Sequence, residues 1–272
     1  MEDRQYKVLS IGAHPDDADT SAGGLLAKLH AKGWDVRLVS VTNGCVGHYD
    51  PEKYTEEKLA AARRVEAANS GKVLGGRYDV FNNPDGRLMA GLKEREELIR
   101  YIREYSPDLI ITNRLNDYHP DHRNTAQLVE DASYLLTVPC LYPDCKAMEH
   151  MPVIIYWHDS FKRPYEFAPD IVVPIGEYFD TIVKCACCHE SQYFDWMLWP
   201  DNMDVVTWPK EKKIERLTQR FDRRLTRQRA EYDEVVRAKF GKDADKVGLI
   251  EVYEISEYGE EPSAEFMELL EK

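Results

Sequence analysis

Two short clusters of histidine and aspartate contain the side chains of this chain that are best suited to chemistry. The first cluster, at residues 12–19, reads Gly-Ala-His-Pro-Asp-Asp-Ala-Asp. Its three carboxylates would repel a phosphate, so the cluster suits a cation instead. His14 and Asp17 are three positions apart, which lets a tight turn direct both side chains at one ion. Asp16 then points elsewhere and stays free for another task.

The second cluster, at residues 116–122, reads Asn-Asp-Tyr-His-Pro-Asp-His. His119 and His122 are three positions apart at the predicted start of a helix. A single His-Pro-Asp stretch is most often a capped loop, so this cluster alone is weak evidence of a site. Two such clusters, each directly after a predicted strand, favour one shared metal site.

The sequence around these clusters alternates short apolar runs with longer helical patterns, which is typical of a parallel sheet covered by helices. The strands are too apolar for a half-exposed sheet, so helices are expected on both faces. The predicted fold is therefore α/β and Rossmann-like, with a mostly parallel sheet. Strands are predicted at residues 8–11, 36–41, 78–81, 109–111, 153–155, 171–173 and 249–255, and helices at 20–32, 56–74, 92–105 and 122–136.

The region from about residue 177 is less regular and predicts a C-terminal helical extension. One helix is predicted over residues 177–199, and a long charged helix over 211–240. The tail beyond Gly259 is predicted to be mobile. Because no linker interrupts the chain, residues 1–272 are predicted to form a single domain with this extension.

The predicted topology explains how two distant clusters could form one site. In a sheet of Rossmann order, strands 1 and 4 are neighbours, and their connections leave in opposite directions. Ligands bind in the crevice at the carboxyl ends of such strands. Since the clusters follow strands 1 and 4, both are expected to face that crevice.

Composition narrows the classes of partner. The formal net charge is -13, which argues against binding to nucleic acid or to an anionic membrane. No apolar run is long enough for a membrane span. The six cysteines, with no secretory signal, predict reduced thiols in a cytoplasmic protein. A small molecule is thus the expected partner, and the sequence leaves open whether the chain forms a homo-oligomer.

The clusters resemble the motifs of a known family. Residues 13–19 are similar to the AHPDDxE motif, and residues 118–122 to the HPDH motif, of the PIG-L/LmbE superfamily of zinc-dependent N-deacetylases. That family acts on N-acetylglucosamine-type amides, including GlcNAc-phosphatidylinositol and the thiol-sugar precursors of mycothiol and bacillithiol. The similarity runs in family order over about residues 6–192, with weaker matches at 42–44, 63–67, 84–88 and 189–192.

This resemblance implies a hydrolase that removes an N-acyl group, most simply an N-acetyl group, from an amino-sugar conjugate by means of zinc-activated water. One zinc ion per chain would be bound by His14, Asp17 and His122, although other divalent ions also suit such a set. Asp16 would be the general base, and His119 would stabilise the oxyanion and protonate the amine. The remaining predicted roles are orientation of a histidine by Asp121 and contacts to the sugar by Arg63 and Asp85.

Several features leave alternatives open. Asp19 replaces the usual glutamate of the first motif, and residues 193–208 are aromatic, with Trp196, Trp199 and Trp208 able to cover a sugar face. Arg63 could instead pair with Glu66, and Asp85 could cap a turn. Alternative functions are an amidase acting on a thiol-sugar conjugate, a metal-free Rossmann-like protein that binds small molecules, and a non-enzymatic sugar-binding protein.

Overall fold

Seven strands form one sheet in the part of the chain that the computed structural model describes, residues 5–198 and 203–272. Neighbouring strands are parallel, except that β7 runs antiparallel to both β5 and β6. The strands are β1 (Lys7–Gly12), β2 (Asp35–Thr42), β3 (Arg77–Asn83), β4 (Leu109–Thr112), β5 (Val153–Trp157), β6 (Ile171–Pro174) and β7 (Ile250–Ile255), and their order across the sheet is β3-β2-β1-β4-β5-β7-β6.

Helices cover both faces of this sheet, which confirms the predicted α/β architecture. Leu25 and Phe221 belong to the apolar core on one face, and Leu98 and Leu128 to the core on the other. No helix in the described ranges is both long enough and apolar enough to cross a membrane. The helices are α1 (Asp17–Ser21), α2 (Gly23–Ala31), α3 (Glu56–Val73), α4 (Leu92–Tyr105), α5 (Pro120–Ser133), α6 (Phe179–Cys188), α7 (Met203–Val206), α8 (Lys210–Glu231), α9 (Asp233–Phe240) and α10 (Ala264–Glu271).

Three predicted helices are broken or end earlier than the sequence pattern indicated. The helix expected over 20–32 begins earlier and is broken at Ala22, whose backbone leaves the helical region. The long charged helix is broken at Tyr232, whose ring packs against His158 and Phe167. The helix expected over 177–199 ends at Cys188 and is followed by short turns up to Leu198, while Trp199 lies outside the described residues.

The C-terminal region differs most from expectation. The predicted mobile tail contains α10, whose Leu270 is fully buried and whose Glu271 accepts a hydrogen bond from the Val172 amide of β6. This prediction was wrong because the stabilising contacts come from distant parts of the chain. The region after residue 177 also supplies β7, which lies between β5 and β6. A single domain over residues 1–272 remains our prediction.

The buried carboxylate of Glu251 on β7 explains why a new helix begins after Ala22. It accepts hydrogen bonds from the backbone amides of Gly24 (2.9 Å) and Leu25 (2.8 Å), at the N-terminus of α2. The Tyr253 hydroxyl donates a third hydrogen bond at 2.6 Å. Helix N-termini carry unpaired amides and a partial positive charge, so a carboxylate is the natural partner here. Glu251 therefore ties β7 to the helix that follows the first histidine cluster.

We expect Glu251→Ala to lower the free energy of unfolding by about 2–4 kcal/mol, because two amides and one hydroxyl would be left buried without an acceptor. Urea denaturation measures the change. The matched control is Glu257→Ala at an exposed position beyond β7, which should change stability by less than about 0.5 kcal/mol. Equal stability of the two variants would contradict the proposed capping role.

Candidate active site

The two histidine clusters meet because β1 and β4 are adjacent parallel strands, as the topology predicted. The chain leaves β1 at Gly12 and turns sharply into α1, and it leaves β4 at Thr112 and enters α5 at Pro120. Gly12 is required at this turn, since a Cβ atom there would lie 2.7 Å from the Asp17 Cβ and 2.9 Å from the Ala18 nitrogen. Both loops therefore lie at the same edge of the sheet.

Three atoms that could bind a metal ion form a nearly equilateral triangle at this edge. His14 Nδ1 lies 3.2 Å from His122 Nε2 and 3.4 Å from Asp17 Oδ2, and the last two atoms are 3.5 Å apart. Tetrahedral ligands at about 2.0–2.2 Å from zinc are themselves separated by about 3.3–3.6 Å. The donor atoms of His14, Asp17 and His122 therefore fit a tetrahedral divalent ion and leave a fourth position open.

Two other groups of potential ligands overlap this triangle. One combines His14, His119 and His122, and the other combines His14, Asp85 and Asp121. The second group faces the opposite nitrogen of the imidazole, since His14 Nε2 lies 3.0 Å from Asp85 Oδ1 and 3.3 Å from Asp121 Oδ2. These acceptors favour a proton on Nε2, which leaves the Nδ1 lone pair available to an ion. The two carboxylates thus orient His14.

His122 is also oriented by a carboxylate, that of Asp117, for which no role was predicted from the sequence. Its Nδ1 lies 2.9 Å from Asp117 Oδ2, so the proton is favoured on Nδ1 and Nε2 faces the triangle. Asp117 belongs to the second cluster, five positions before His122. That position was a sequence signal, but the loop conformation decides which carboxylate reaches which ring.

The charges of the triangle stabilise one another. Burial opposes a charge on His14, but its hydrogen bonds to Asp121, Asp17 and Asp85 raise its pKa well above the ordinary value. Burial would raise the pKa of Asp17, yet the neighbouring His122 and His14 lower it overall. This surplus of carboxylate around two imidazoles is the environment that a cation requires.

Asp16 and His119 lie beside the triangle and line the same cavity. Asp16 is strained, with φ of 144°, and its buried Oδ1 has no hydrogen-bond partner among the described residues. Burial, together with the charge of Asp17, raises the pKa of Asp16 to about 7. His119 Nδ1 accepts a hydrogen bond from the Asp121 amide at 3.2 Å, so neutral His119 carries its proton on Nε2 and can donate it. Burial, followed by the charges of His14 and His122, lowers the pKa of His119.

The cavity above these groups has a volume of about 580 Å³. Trp196 and Tyr193 of the aromatic segment and Phe221 of α8 form one wall. Trp208 does not line this cavity; its ring lies under the Lys212 ammonium group, with the nitrogen 3.6 Å from the ring centre. A larger cavity of about 750 Å³ includes Asp108 and His150, but the described residues form no group of three metal-binding side chains there.

Arg63 lies at the base of this cavity and is almost fully buried, with 2% of its surface exposed. It donates hydrogen bonds to the Gly47 carbonyl at 2.8 Å and to Gln192 Oε1. The alternative pairing with Glu66 does not occur, because Glu66 accepts hydrogen bonds from the amide and the hydroxyl of Ser191. Arg63 therefore holds the loop after β2 against the segment that carries Gln192.

A buried ion pair supports α1 from behind. His189 Nε2 lies 2.7 Å from Asp19 Oδ2, both side chains are fully buried, and the Ser70 hydroxyl donates to the same oxygen. Burial disfavours the charged imidazole, but the charge of Asp19 and the hydrogen bond to it raise the pKa of His189. The sequence gives no signal for this pair, since its members are 170 positions apart. It fixes the helix that begins at Asp17.

This pair predicts a pH-dependent stability. Because folding raises the pKa of His189, its contribution is fully present below the unfolded value of about 6.5 and is lost as the pH rises through the folded pKa. The acidic groups that act on the ring, Asp19, Asp16 and Glu66, all raise its pKa. The difference in unfolding free energy between the wild type and His189→Gln should therefore be largest near pH 6 and decrease above it.

Urea denaturation of the metal-loaded protein at a series of pH values measures this difference. His150→Gln is the matched control, since His150 is exposed and has no comparable partner in the described chain. A difference that grows with rising pH would contradict the assignment of His189 as the charged partner of Asp19.

Comparison with known proteins agrees with the fold and with the two motifs. Residues 9–133 match the family model described as "PIG-L: GlcNAc-PI de-N-acetylase". The matched region carries both histidine clusters and covers somewhat less than half of this chain. Diacetylchitobiose deacetylase of Thermococcus kodakarensis is 28% identical over 206 residues, covering 74% of this chain and 76% of that enzyme.

Two further relatives show how widely this fold is used. The structure of N,N'-diacetylchitobiose deacetylase from Pyrococcus horikoshii aligns with a TM-score of 0.70 and 25% identity over 93% of this chain and 84% of that one. The 4-oxalmesaconate hydratase of Pseudomonas putida is 26% identical over 202 residues, covering 72% of this chain and 78% of that enzyme. Because a hydratase is among the relatives, the reaction must be argued from the site itself.

Proposed function

We propose that this protein is a metal-dependent deacetylase that hydrolyses the N-acetyl amide of an amino-sugar conjugate. The observation that carries the proposal is the triangle of His14, Asp17 and His122. Beside it lie the unpartnered carboxylate oxygen of Asp16 and the Nε2–H group of His119. Amide hydrolysis requires an electrophile, a base for water and an acid for the leaving amine. The named related deacetylases support the same reaction class.

The proposed metal ligands are His14, Asp17 and His122. Zinc fits best, because two imidazoles and one carboxylate with an open position are typical of catalytic zinc sites. A divalent ion bound there would act as a Lewis acid toward the amide carbonyl and would make water acidic enough to be deprotonated near neutral pH. Asp85, Asp117 and Asp121 would fix the two imidazoles in the tautomers that this binding requires.

Asp16 and His119 have separate roles in the reaction. Asp16 accepts a proton from the attacking water, since its buried oxygen has no competing donor in the described chain. His119 Nε2 donates a hydrogen bond to the carbonyl oxygen as negative charge develops there. The departing nitrogen then takes up a proton, and free acetate and the amine are the products. Neutral His119 would become an imidazolate if it supplied this proton, so we assign the transfer to Asp16, which holds the proton taken from water, in place of the role predicted for His119.

The substrate assignment rests on the walls of the cavity. The ring of Trp196 offers an apolar surface to one face of a sugar. Asp85 and Arg63 also line the cavity, although both are largely engaged with His14, Gly47 and Gln192. We therefore propose that they contact the sugar through atoms left over from these internal bonds and that they also orient the site.

Hydration of an unsaturated carboxylic acid is a second candidate function, favoured by the related hydratase and by the arginines of the cavity wall. The two candidates differ in their products. Release of acetate from N-acetylglucosamine conjugates supports the deacetylase, whereas loss of ultraviolet absorbance from a dienoic polycarboxylate without release of acetate supports the hydratase.

Substitutions of Asp16 and Asp17 should have different effects, although the residues are adjacent. Asp16→Asn should keep the metal and lose activity by about 10²-fold or more, because an amide cannot accept the proton of water. Asp17→Asn should lose both metal and activity, because it removes a ligand charge. Elemental analysis after dialysis against a chelator measures the metal, and acetate release measures activity.

The matched control is Asp180→Asn on the exposed surface of α6, which should retain both properties. Equal loss of metal from the Asp16 and Asp17 variants would make Asp16 a ligand. Full acetate release by metal-free wild-type protein would contradict the metal-dependent mechanism.

A further inference from the structure

Helix α8 is strongly basic in a chain that is acidic overall. It contains nine lysines and arginines against four aspartates and glutamates, whereas the whole chain has a net charge of -13. Leu217, Phe221 and Leu225 are buried and attach the helix to the core. The helix therefore has a fixed orientation, and its charges are held at defined places.

Two of these cations, Arg220 and Arg224, line the active-site cavity on either side of Phe221. A smaller adjoining cavity of about 300 Å³ shares Arg220 and Tyr193 with the first and adds Lys213 and Arg223. Positive charge thus extends from the wall of the active site toward the surface, while the floor of the site is rich in carboxylates.

Neither guanidinium group has an acidic partner among the described residues. Arg220 forms no hydrogen bond or ion pair with them, and Arg224 donates only to the Thr20 carbonyl at 2.8 Å and lies 4.6 Å from the centre of the Phe221 ring. Arg114, by contrast, is paired with Asp159. Desolvation lowers the pKa of Arg224, Tyr193 and the Glu251 carboxylate raise it, and the like charge of Arg220 lowers it. Two neighbouring cations that form no ion pair with the described residues favour binding of an anion.

The position of Arg224 relative to the reacting groups is fixed by α1. Arg224 binds the carbonyl of Thr20, and Thr20 donates from its amide (3.1 Å) and from its hydroxyl (2.7 Å) to the carbonyl of Asp16. One helical turn, a rise of about 5.4 Å, therefore separates the anchor of Arg224 from Asp16. An anion bound there would therefore lie in the same cavity as Asp16.

We infer that Arg220 and Arg224 form an anion subsite, so that the substrate is an N-acetyl amino sugar carrying a phosphate or a carboxylate. This inference rests on the proposed deacetylase function and narrows its substrate class. The planar guanidinium groups offer paired N–H donors whose spacing matches the oxygens of phosphate and carboxylate. A neutral sugar would leave both charges without a partner.

The test compares specificity constants, kcat/KM, for one neutral and three anionic amides: N-acetylglucosamine, its 1-phosphate, its 6-phosphate and N-acetylmuramic acid. The metal-loaded wild type should prefer at least one anionic substrate by about tenfold or more, and the identity of that substrate distinguishes phosphate from carboxylate. Arg220→Gln and Arg224→Gln should each lower the ratio of anionic to neutral kcat/KM by about tenfold, mainly through KM.

Arg227→Gln is the matched control, since it removes one charge from an exposed position of the same helix that does not line the cavity. The ratio of anionic to neutral kcat/KM of this variant should stay at the wild-type value. That result distinguishes binding at the cavity wall from the long-range electrostatic effect of the charges on α8. Arg220→Gln guards against misfolding, because Arg220 makes no bond to the described protein that a substitution could break.

Failure of the anion subsite and failure of the proposed function give different experimental results. Wild-type activity with no preference for anionic amides, unchanged in both cavity variants, would overturn the anion subsite and leave the deacetylase standing. If no amide is hydrolysed, the proposed function fails, and calorimetric binding of glucosamine 6-phosphate against glucosamine still tests the subsite. Loss of the preference for glucosamine 6-phosphate in Arg220→Gln and Arg224→Gln, but not in Arg227→Gln, supports the anion subsite. Turnover of a dienoic polycarboxylate instead would overturn the amino-sugar assignment.

Discussion

The parallel pairing of β1 with β4 is the constraint on which the rest of the site depends. It brings together two loops that lie more than 100 positions apart in sequence, and it places His14 Nδ1 3.2 Å from His122 Nε2. Glu251, which caps α2, and the buried pair of Asp19 and His189 hold the elements after β1 in place. The site is thus a consequence of strand order, reinforced by buried charges that do not contact the ligand triangle.

The second organising feature is the control of histidine tautomers by carboxylates. Asp85 and Asp121 lie at Nε2 of His14, and Asp117 lies at Nδ1 of His122, so the opposite nitrogen of each ring faces the triangle. The Asp121 amide in turn donates to His119 Nδ1. His119 and His122 belong to one short motif, but different groups contact their Nδ1 atoms. The loop conformation therefore gives the two histidines different roles.

The sequence predicted those parts of the molecule that depend on local pattern and on topology. The apolar stripe of α4 predicted its bounds, Leu92–Tyr105, and the order of strands predicted that the clusters following β1 and β4 would meet. The sequence did not predict the pairing of His189 with Asp19, the burial of α10 or the contribution of α8 to the cavity wall. Each of these depends on contacts between distant segments, for which a single sequence gives no spacing signal.

The proposed metal site is tested most directly by locating the ion in crystals of the metal-loaded protein by anomalous scattering, with its ligand distances measured by X-ray absorption. We expect one divalent ion held at about 2.0–2.2 Å by His14 Nδ1, His122 Nε2 and an Asp17 carboxylate oxygen, with Asp16 and His119 uncoordinated. An ion bound by Asp85 and Asp121 at His14 Nε2, or by His119 in place of Asp17, would contradict it.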